Sequence, residues 1–272
     1  MPTTSARVYH LGWHPDPVKA IGDKPDYDAE PLLGASIPPV AASASHLVAG
    51  IFNQGALSSC VANAGFQAIR AAQIRAGATA ATASRLFGYF FARAIHAATK
   101  EDQGTYIRLF FQAMNTFGFP QEQFWPYNEA LVNKMPSKNA IRMAFDQLAP
   151  TKYYRITSTG SERIRDIKRA IAEKHLVVFG TTVGQAFGSS HIKPNVPLGP
   201  PDAGTWMGGH AMCIDAYNGD NFSIVNSWGT DWGDSGRCLF SADYLEWYRS
   251  NDFWVVDVAP NFSENETTKV DK

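Results

Sequence analysis

Apolar residues crowd the stretch from position 60 to 75. Ala62, Ala64, Phe66, Ala68, Ile69, Ala71, Ala72 and Ile74 recur on most faces of a helix, which predicts a central, buried helix over Cys60 to about Arg75. Arg85 to Ala98, Tyr106 to Phe117 and Ala140 to Leu148 read as further helices. Gly118, Pro120 and Trp125-Pro126-Tyr127 break the pattern between them. The second half changes period. Tyr153 to Ile156 and Leu176 to Thr182 read as strands flanking a helix from about Ser161 to Glu173. Ala211 to Tyr217, Phe222 to Val225, Arg237 to Phe240 and Asp252 to Val258 are short strands parted by Gly, Asn and Asp. Helices first and strands afterwards predict an α+β chain of two lobes with a cleft between them.

The two ends lack such patterning. Residues 1–43 carry Pro15, Pro17, Pro25, Pro31, Pro38 and Pro39 and read as an extended arm. Its apolar anchors, Tyr9, Leu11, Trp13, Tyr27, Leu32 and Leu33, are more than a solvated tail would keep. The arm is therefore expected either to cover the cleft, as a short prosegment does, or to strap the back of a lobe. Residues 44–260 form the folded domain, and 261–272 a solvated tail.

Composition narrows the class. At 272 residues and 45% hydrophobic, the chain can bury a large core. Its formal net charge of −1, without a basic stripe, argues against nucleic acid as a partner. No apolar run approaches a membrane span, and the N-terminus lacks the pattern of a secretory signal. The expectation is a cytoplasmic protein, or one exported without a cleavable signal. Three cysteines, Cys60, Cys213 and Cys238, are too few for a disulfide framework.

Cys60 stands where a Gly-bearing loop, Asn53-Gln54-Gly55-Ala56-Leu57-Ser58-Ser59, enters the predicted buried helix. The N–H groups and dipole of a helix start favour a thiolate. A buried structural cysteine is the alternative on this segment alone. Further on, Gly208 and Gly209 precede His210, and a histidine at a strand start beside an open loop can face a cleft. Sixteen residues later Asn226 opens Asn226-Ser227-Trp228-Gly229. An Asn at a strand end can accept from an imidazole N–H and hold one tautomer, and Trp228 can shield that bond from water.

These segments resemble, in order and spacing, the papain-like (cathepsin-like) cysteine peptidases of the C1 type, and in particular their short bacterial members. Gln54-Gly55 precedes the cysteine, Gly209-His210 opens a strand, and Asn226-Ser227-Trp228-Gly229 is followed, after three intervening residues, by Gly233. Ser84-Arg85-Leu86-Phe87, the run Glu101 to Arg108 and Trp125-Pro126-Tyr127 look like landmarks between the motifs. The resemblance implies a papain-like fold with a helical N-terminal lobe and a mainly antiparallel C-terminal lobe. It implies a Cys60 thiolate paired with protonated His210, oriented by Asn226. Gln54 and the Cys60 backbone N–H would bind the oxyanion. Gly209 and Ala211 would shape a substrate pocket roomy enough for a bulky apolar side chain. Gln103, Gly104 and Thr105 would pair with extended peptide. The expected partner is a protein or peptide, with no metal or organic cofactor. Three positions depart from the family: Ser58 stands for a Gly, Val61 for a Trp and Leu57 for a disulfide Cys. Ser58 is expected to narrow the substrate channel.

Other chemistries use the same residues. A zinc site from Cys60, His210, Cys213 and Cys238 fits poorly, because His210 and Cys213 lie three apart on a predicted strand and face opposite ways. A ligase, transamidase or isopeptidase would use the same trio. A papain-fold binding protein would account for Ser58 and Val61, but has no need of Cys60, His210, Asn226 and Gln54 together.

Overall fold

The computed structural model describes residues 9–16, 27–28, 33–34, 36–78, 82–146, 151–188 and 192–258. The tail and part of the arm, including Leu32, lie outside the described residues. In chain order the elements are β1 (Tyr27–Asp28), β2 (Ala41–Ser43), α1 (Cys60–Arg75), α2 (Arg85–Ile95), α3 (Ile107–Phe117), α4 (Lys138–Asp146), β3 (Thr151–Arg155), α5 (Gly160–Ala172), β4 (Val177–Gly184), α6 (Gln185–Gly188), β5 (Pro197–Leu198), β6 (Trp206–Asn218), β7 (Asn221–Val225), β8 (Arg237–Ser241), α7 (Ala242–Glu246) and β9 (Ser250–Val258).

The α+β architecture predicted from the pattern is present. One hydrophobic cluster gathers α1 to α4 and includes Cys60, Ala211 and Cys213. A second gathers α5, α7 and the other sheet face, with Met212, Ile214, Trp228 and Phe240. Alternation along β6 thus sends Ala211 and Cys213 to one core and Met212 and Ile214 to the other, before a register shift past Ile214. It separates His210 from Cys213, as the strand period required. Among the described residues no group of three or more His, Cys, Asp or Glu could hold a metal ion.

The described strands form one sheet in the order β1-β3-β9-β4-β6-β7-β8-β5, with β2 added beside β6. Most neighbours are antiparallel, while β1–β3 and β5–β8 are parallel. Helix α1 packs across β6 and β9, buried on nearly every side as its Ala-rich composition allows. Two parts of the arm join this sheet: β1 lies beside β3, and β2 pairs with the far end of β6.

One boundary differs from expectation. Strand β6 begins at Trp206, not at Ala211, so His210 sits inside the strand. The Gly208–Gly209 pair stays in the ladder opposite Val183 and Thr182. The glycines make room instead of breaking the strand: a Cβ on Gly208 would lie 3.0 Å from Leu11, and one on Gly209 2.3 Å from the Trp13 carbonyl oxygen.

Candidate functional site

Three elements converge. Helix α1 supplies Cys60 as its first residue, β6 supplies His210, and the loop after β7 supplies Asn226. His210 Nε2 and Asn226 Oδ1 are 2.8 Å apart. The Ser227 backbone N–H also donates to Asn226 Oδ1, at 2.8 Å. That oxygen is an acceptor, so the imidazole must carry its proton on Nε2. Nδ1 is then the lone-pair nitrogen, and it is buried with no hydrogen-bond partner among the described residues. Trp228 lies 4.8 Å, centroid to centroid, from the His210 ring, and Phe187 adds a second aromatic at 5.8 Å. These rings keep water from the His210–Asn226 bond.

The Cys60 sulfur is fully buried and receives backbone N–H groups from Ala211, Gly12, Val61 and Cys60 itself. The contact from Ala211 sets the thiol beside the His210 segment. Burial nevertheless wins over these donors and pushes the thiol up to about 11. Burial likewise lowers His210 to about 4, although its bond to Asn226 works the other way. In this covered arrangement burial pushes both groups towards their neutral forms, against the pull of the helix start.

Gln54 is completely buried. Its Oε1 accepts from Ser227 Oγ at 2.6 Å, which fixes the amide orientation. Its Nε2 donates to Leu57 O at 2.8 Å and to His10 O at 2.9 Å. Tyr127 braces the same loop, with its hydroxyl donating to the Gln54 carbonyl at 2.8 Å and meeting Ser59 Oγ at 2.6 Å.

Residues 9–16 run through the space between these groups. Thr105 N donates to Gly12 O at 2.8 Å, His14 N to Thr105 O at 3.1 Å and Trp13 N to Gly209 O at 3.1 Å. The Trp13–Thr105 bridge is parallel. Tyr9 stacks on Trp228 at 4.0 Å. His14 Nε2 lies 2.6 Å from Gln103 O, and a Cβ on Gly104 would lie 2.0 Å from Gly12 O. The extended chain beside the loop Gln103–Thr105 in this structure is the arm. Ser58 lies against the arm: a Cβ on Gly12 would meet Ser58 O at 1.9 Å and Ser58 Cβ at 2.8 Å.

Four residues near the site escaped the sequence. Asp102 accepts from Ser58 N at 2.9 Å and from Tyr89 Oη at 2.5 Å, and Tyr89 Oη in turn accepts from Gly104 N at 2.9 Å. Asp16 joins Arg108 Nε at 2.6 Å and Arg155 Nη1 at 3.3 Å. Asp252 accepts from Arg155 at 2.8 Å, from Asp16 N at 2.9 Å and from Trp13 Nε1 at 3.3 Å. Burial raises the Asp252 carboxyl to about 6 despite those donors. Gly180, inside an apolar strand, is a sequence signal of close approach: a Cβ there would lie 1.9 Å from the Trp13 ring.

No protein-family model matches the chain. It is 31% identical over 228 residues to an uncharacterized peptidase C1-like protein of Acanthamoeba polyphaga mimivirus, covering 79% of this chain and 73% of that one. Among solved structures it is similar to xylellain, a cysteine protease from Xylella fastidiosa, with TM-score 0.79, 25% identity and coverage of 95% of this chain and 100% of that one. It also shares the fold of a digestive procathepsin L 3 from the Tenebrio molitor larval midgut, with TM-score 0.64, 13% identity and coverage of 84% and 72%. No helix among the described residues is long and apolar enough to cross a membrane. By sequence and by fold, the chain belongs to the papain-like peptidases of the C1 type.

Proposed function

We propose that this chain is a cysteine peptidase with Cys60 as nucleophile, held latent by its own N-terminal arm. The observation that supports it is the buried Nδ1 of His210, left with its lone pair because Asn226 accepts from Nε2–H, one residue from Ala211, whose backbone bonds the Cys60 sulfur. In the reaction His210 Nδ1 takes the thiol proton and the thiolate attacks a peptide carbonyl. Gln54 Nε2–H and the Cys60 N–H stabilise the developing oxyanion. The imidazolium then protonates the leaving amine and afterwards activates water to free the acyl group. Asn226 keeps the ring in one tautomer throughout. The substrate is a protein or peptide. A transamidase would differ only in which nucleophile releases the acyl group.

Latency follows from what faces the thiol. The arm offers Gly12 N–H to the sulfur, while the carbonyl at Gln54 belongs to His10, two residues away. An N–H is no electrophile, so the arm fills the site without being cut there. Residues 1–43 serve two roles in this proposal, a cover over the site at 9–16 and a strap on the sheet at β1 and β2.

An irreversible thiol-directed peptidyl inhibitor tests the proposal. Cys60 of a chain with a displaced arm should be labelled stoichiometrically, with loss of peptide hydrolysis, and Cys60→Ala should lack both. Hydrolysis that persists in Cys60→Ala would end it.

A further inference from the structure

Two loops meet the covering segment of the arm from different parts of the chain. One is the loop that ends at Cys60, where Ser58 O lies against Gly12. The other is Gln103–Thr105, whose last residue donates to Gly12 O and accepts from His14 N. No disulfide ties these loops, since Cys60, Cys213 and Cys238 are all free. One side chain ties them instead. Asp102 Oδ2 accepts from Ser58 N at 2.9 Å. Its Oδ1 accepts from Tyr89 Oη at 2.5 Å, and that hydroxyl accepts from Gly104 N at 2.9 Å. A single carboxylate thus links the residue two before the nucleophile to the residue one before Thr105.

The support beneath this bridge is buried. Tyr89 is fully buried on α2, and Arg93, one turn further and also fully buried, lies over its ring at 4.1 Å. The Arg93 guanidinium donates to Glu101 O at 2.6 Å, to Asn133 Oδ1 at 2.9 Å and to Val132 O. The residue before Asp102 is therefore pinned by Arg93, and the second residue after it by Tyr89. A carboxylate suits the bridge because it only accepts, and it stands between two donors. An amide in its place must turn an N–H towards the Ser58 N–H, or towards a hydroxyl that already accepts from Gly104.

We propose that Asp102 is a positioning residue, which through Tyr89 holds the Ser58 wall and the Thr105 edge at the spacing an extended peptide needs. This deepens the peptidase proposal and rests on it for any effect on catalysis. The described partners of the carboxylate are Ser58 and Tyr89, not Cys60, His210 or Gln54. Asp102 therefore acts on how firmly a chain is held between the loops, and not on the proton transfers. The arm is the chain held there in this structure, so its release reports the spacing without any substrate.

In the full-length chain, Asp102→Asn and Tyr89→Phe should each speed brief iodoacetamide labelling of Cys60 about tenfold, since a hydrogen bond to a charged group is lost from the bridge. The double variant should label no faster than the faster single variant, because both changes break one bridge. Amide exchange, read by mass spectrometry, should rise in the segments around Ser58 and Thr105. Tyr89→Phe keeps the ring beneath Arg93 and decides the same question if Asp102→Asn does not fold. A lowered melting temperature with unchanged labelling would reduce Asp102 to a structural brace and overturn the proposal. Additive acceleration in the double variant would overturn it too. Hydrolysis separates this proposal from the peptidase proposal. With Gly12→Ala also present, Asp102→Asn should raise KM about tenfold and leave kcat within about twofold, the pattern of lost uniform binding. A fall in kcat at unchanged KM sinks the positioning role alone. A Gly12→Ala chain that labels freely yet hydrolyses no peptide sinks the peptidase alone.

Discussion

A Cβ added to Gly12 would lie 1.9 Å from the carbonyl oxygen of Ser58. Two backbones touch there, and neither can yield by turning a side chain. Gly12 does not have positive φ, so alanine is not strained in itself. Gly12→Ala should therefore lift the arm without unfolding the domain. Brief iodoacetamide labelling at pH 7.5, read by mass spectrometry, should show Cys60 modified at least about tenfold faster than in the parent chain, because thiolate fraction and access both rise. Cys213 and Cys238, buried in the two cores, should stay unlabelled. Unchanged Cys60 labelling with an unchanged melting temperature would show that the arm does not guard the thiol.

The pH dependence of the same labelling carries a second expectation. In the parent chain burial holds Cys60 at about 11, so its labelling rate should still be climbing well above pH 9. In Gly12→Ala, water reaches the sulfur and the imidazole, and the profile should move down by more than one pH unit. Coincident profiles for the two chains would mean that something other than the arm desolvates the thiol.

Much of this was legible in the sequence. The α1 boundaries and the helix-then-strand order follow from local periodicity; Cys60, His210 and Asn226 stood out by their settings, and Gln54 through the family resemblance. What stayed hidden depends on contacts across long chain separations. Trp13 and Asp252 are 239 positions apart, and no local pattern joins them. The Gly208–Gly209 pair read as lying just ahead of the strand, whereas it lies inside it. In the fold it is the feature that lets a second backbone approach. The helix start at Cys60 favours a thiolate, while burial beneath the arm, invisible in a local window, works against it.

Acid should weaken the fold between about pH 6.5 and 4. His210 and His175 are both lowered from 6.5 to about 4 by burial. The unfolded chain thus takes up these protons first. Their stabilisation is present above pH 6.5 and is lost as pH falls through that window. His96, also lowered, adds in the same direction. Asp252 opposes them: raised from 3.8 to about 6, it favours the folded state as pH falls through 6. Two full histidine shifts outweigh one carboxyl, leaving a loss of order 1 kcal/mol per pH unit. Thermal melts should show it, and His175→Gln should flatten the acid limb. A melting temperature constant from pH 7 to 4.5 would contradict this balance.

Gln54→Ala should separate chemistry from latency. In the parent chain Gln54 Nε2 holds His10 O, so its loss loosens the arm and should speed Cys60 labelling modestly. In the Gly12→Ala background, where the arm is already displaced, the same change should lower kcat by roughly 10²–10³ with KM little altered, the usual cost of one lost oxyanion donor. Hydrolysis at full kcat would remove Gln54 from the mechanism.

The far end of the covering segment is fixed by charge. The Asp16 carboxylate bonds Arg108 and Arg155, and the Asp16 backbone N–H bonds Asp252, so two carboxylates and two guanidiniums meet beneath the arm. The Asp16 side chain is only 4% exposed, which removes most solvent screening. Asp16→Asn keeps the shape but leaves these four groups with one excess positive charge. Breaking a buried pair from one side costs about 3–5 kcal/mol. If the arm can lift, that cost is relieved by undocking and not by unfolding. Asp16→Asn should then raise Cys60 labelling about as much as Gly12→Ala while losing only part of the melting temperature. Asp16→Asn combined with Gly12→Ala should label no faster than either alone, because both act through the same displacement. Additive acceleration in the double variant would mean that the charge cluster and the Gly12–Ser58 contact restrain different motions, and the arm would then not move as one strand.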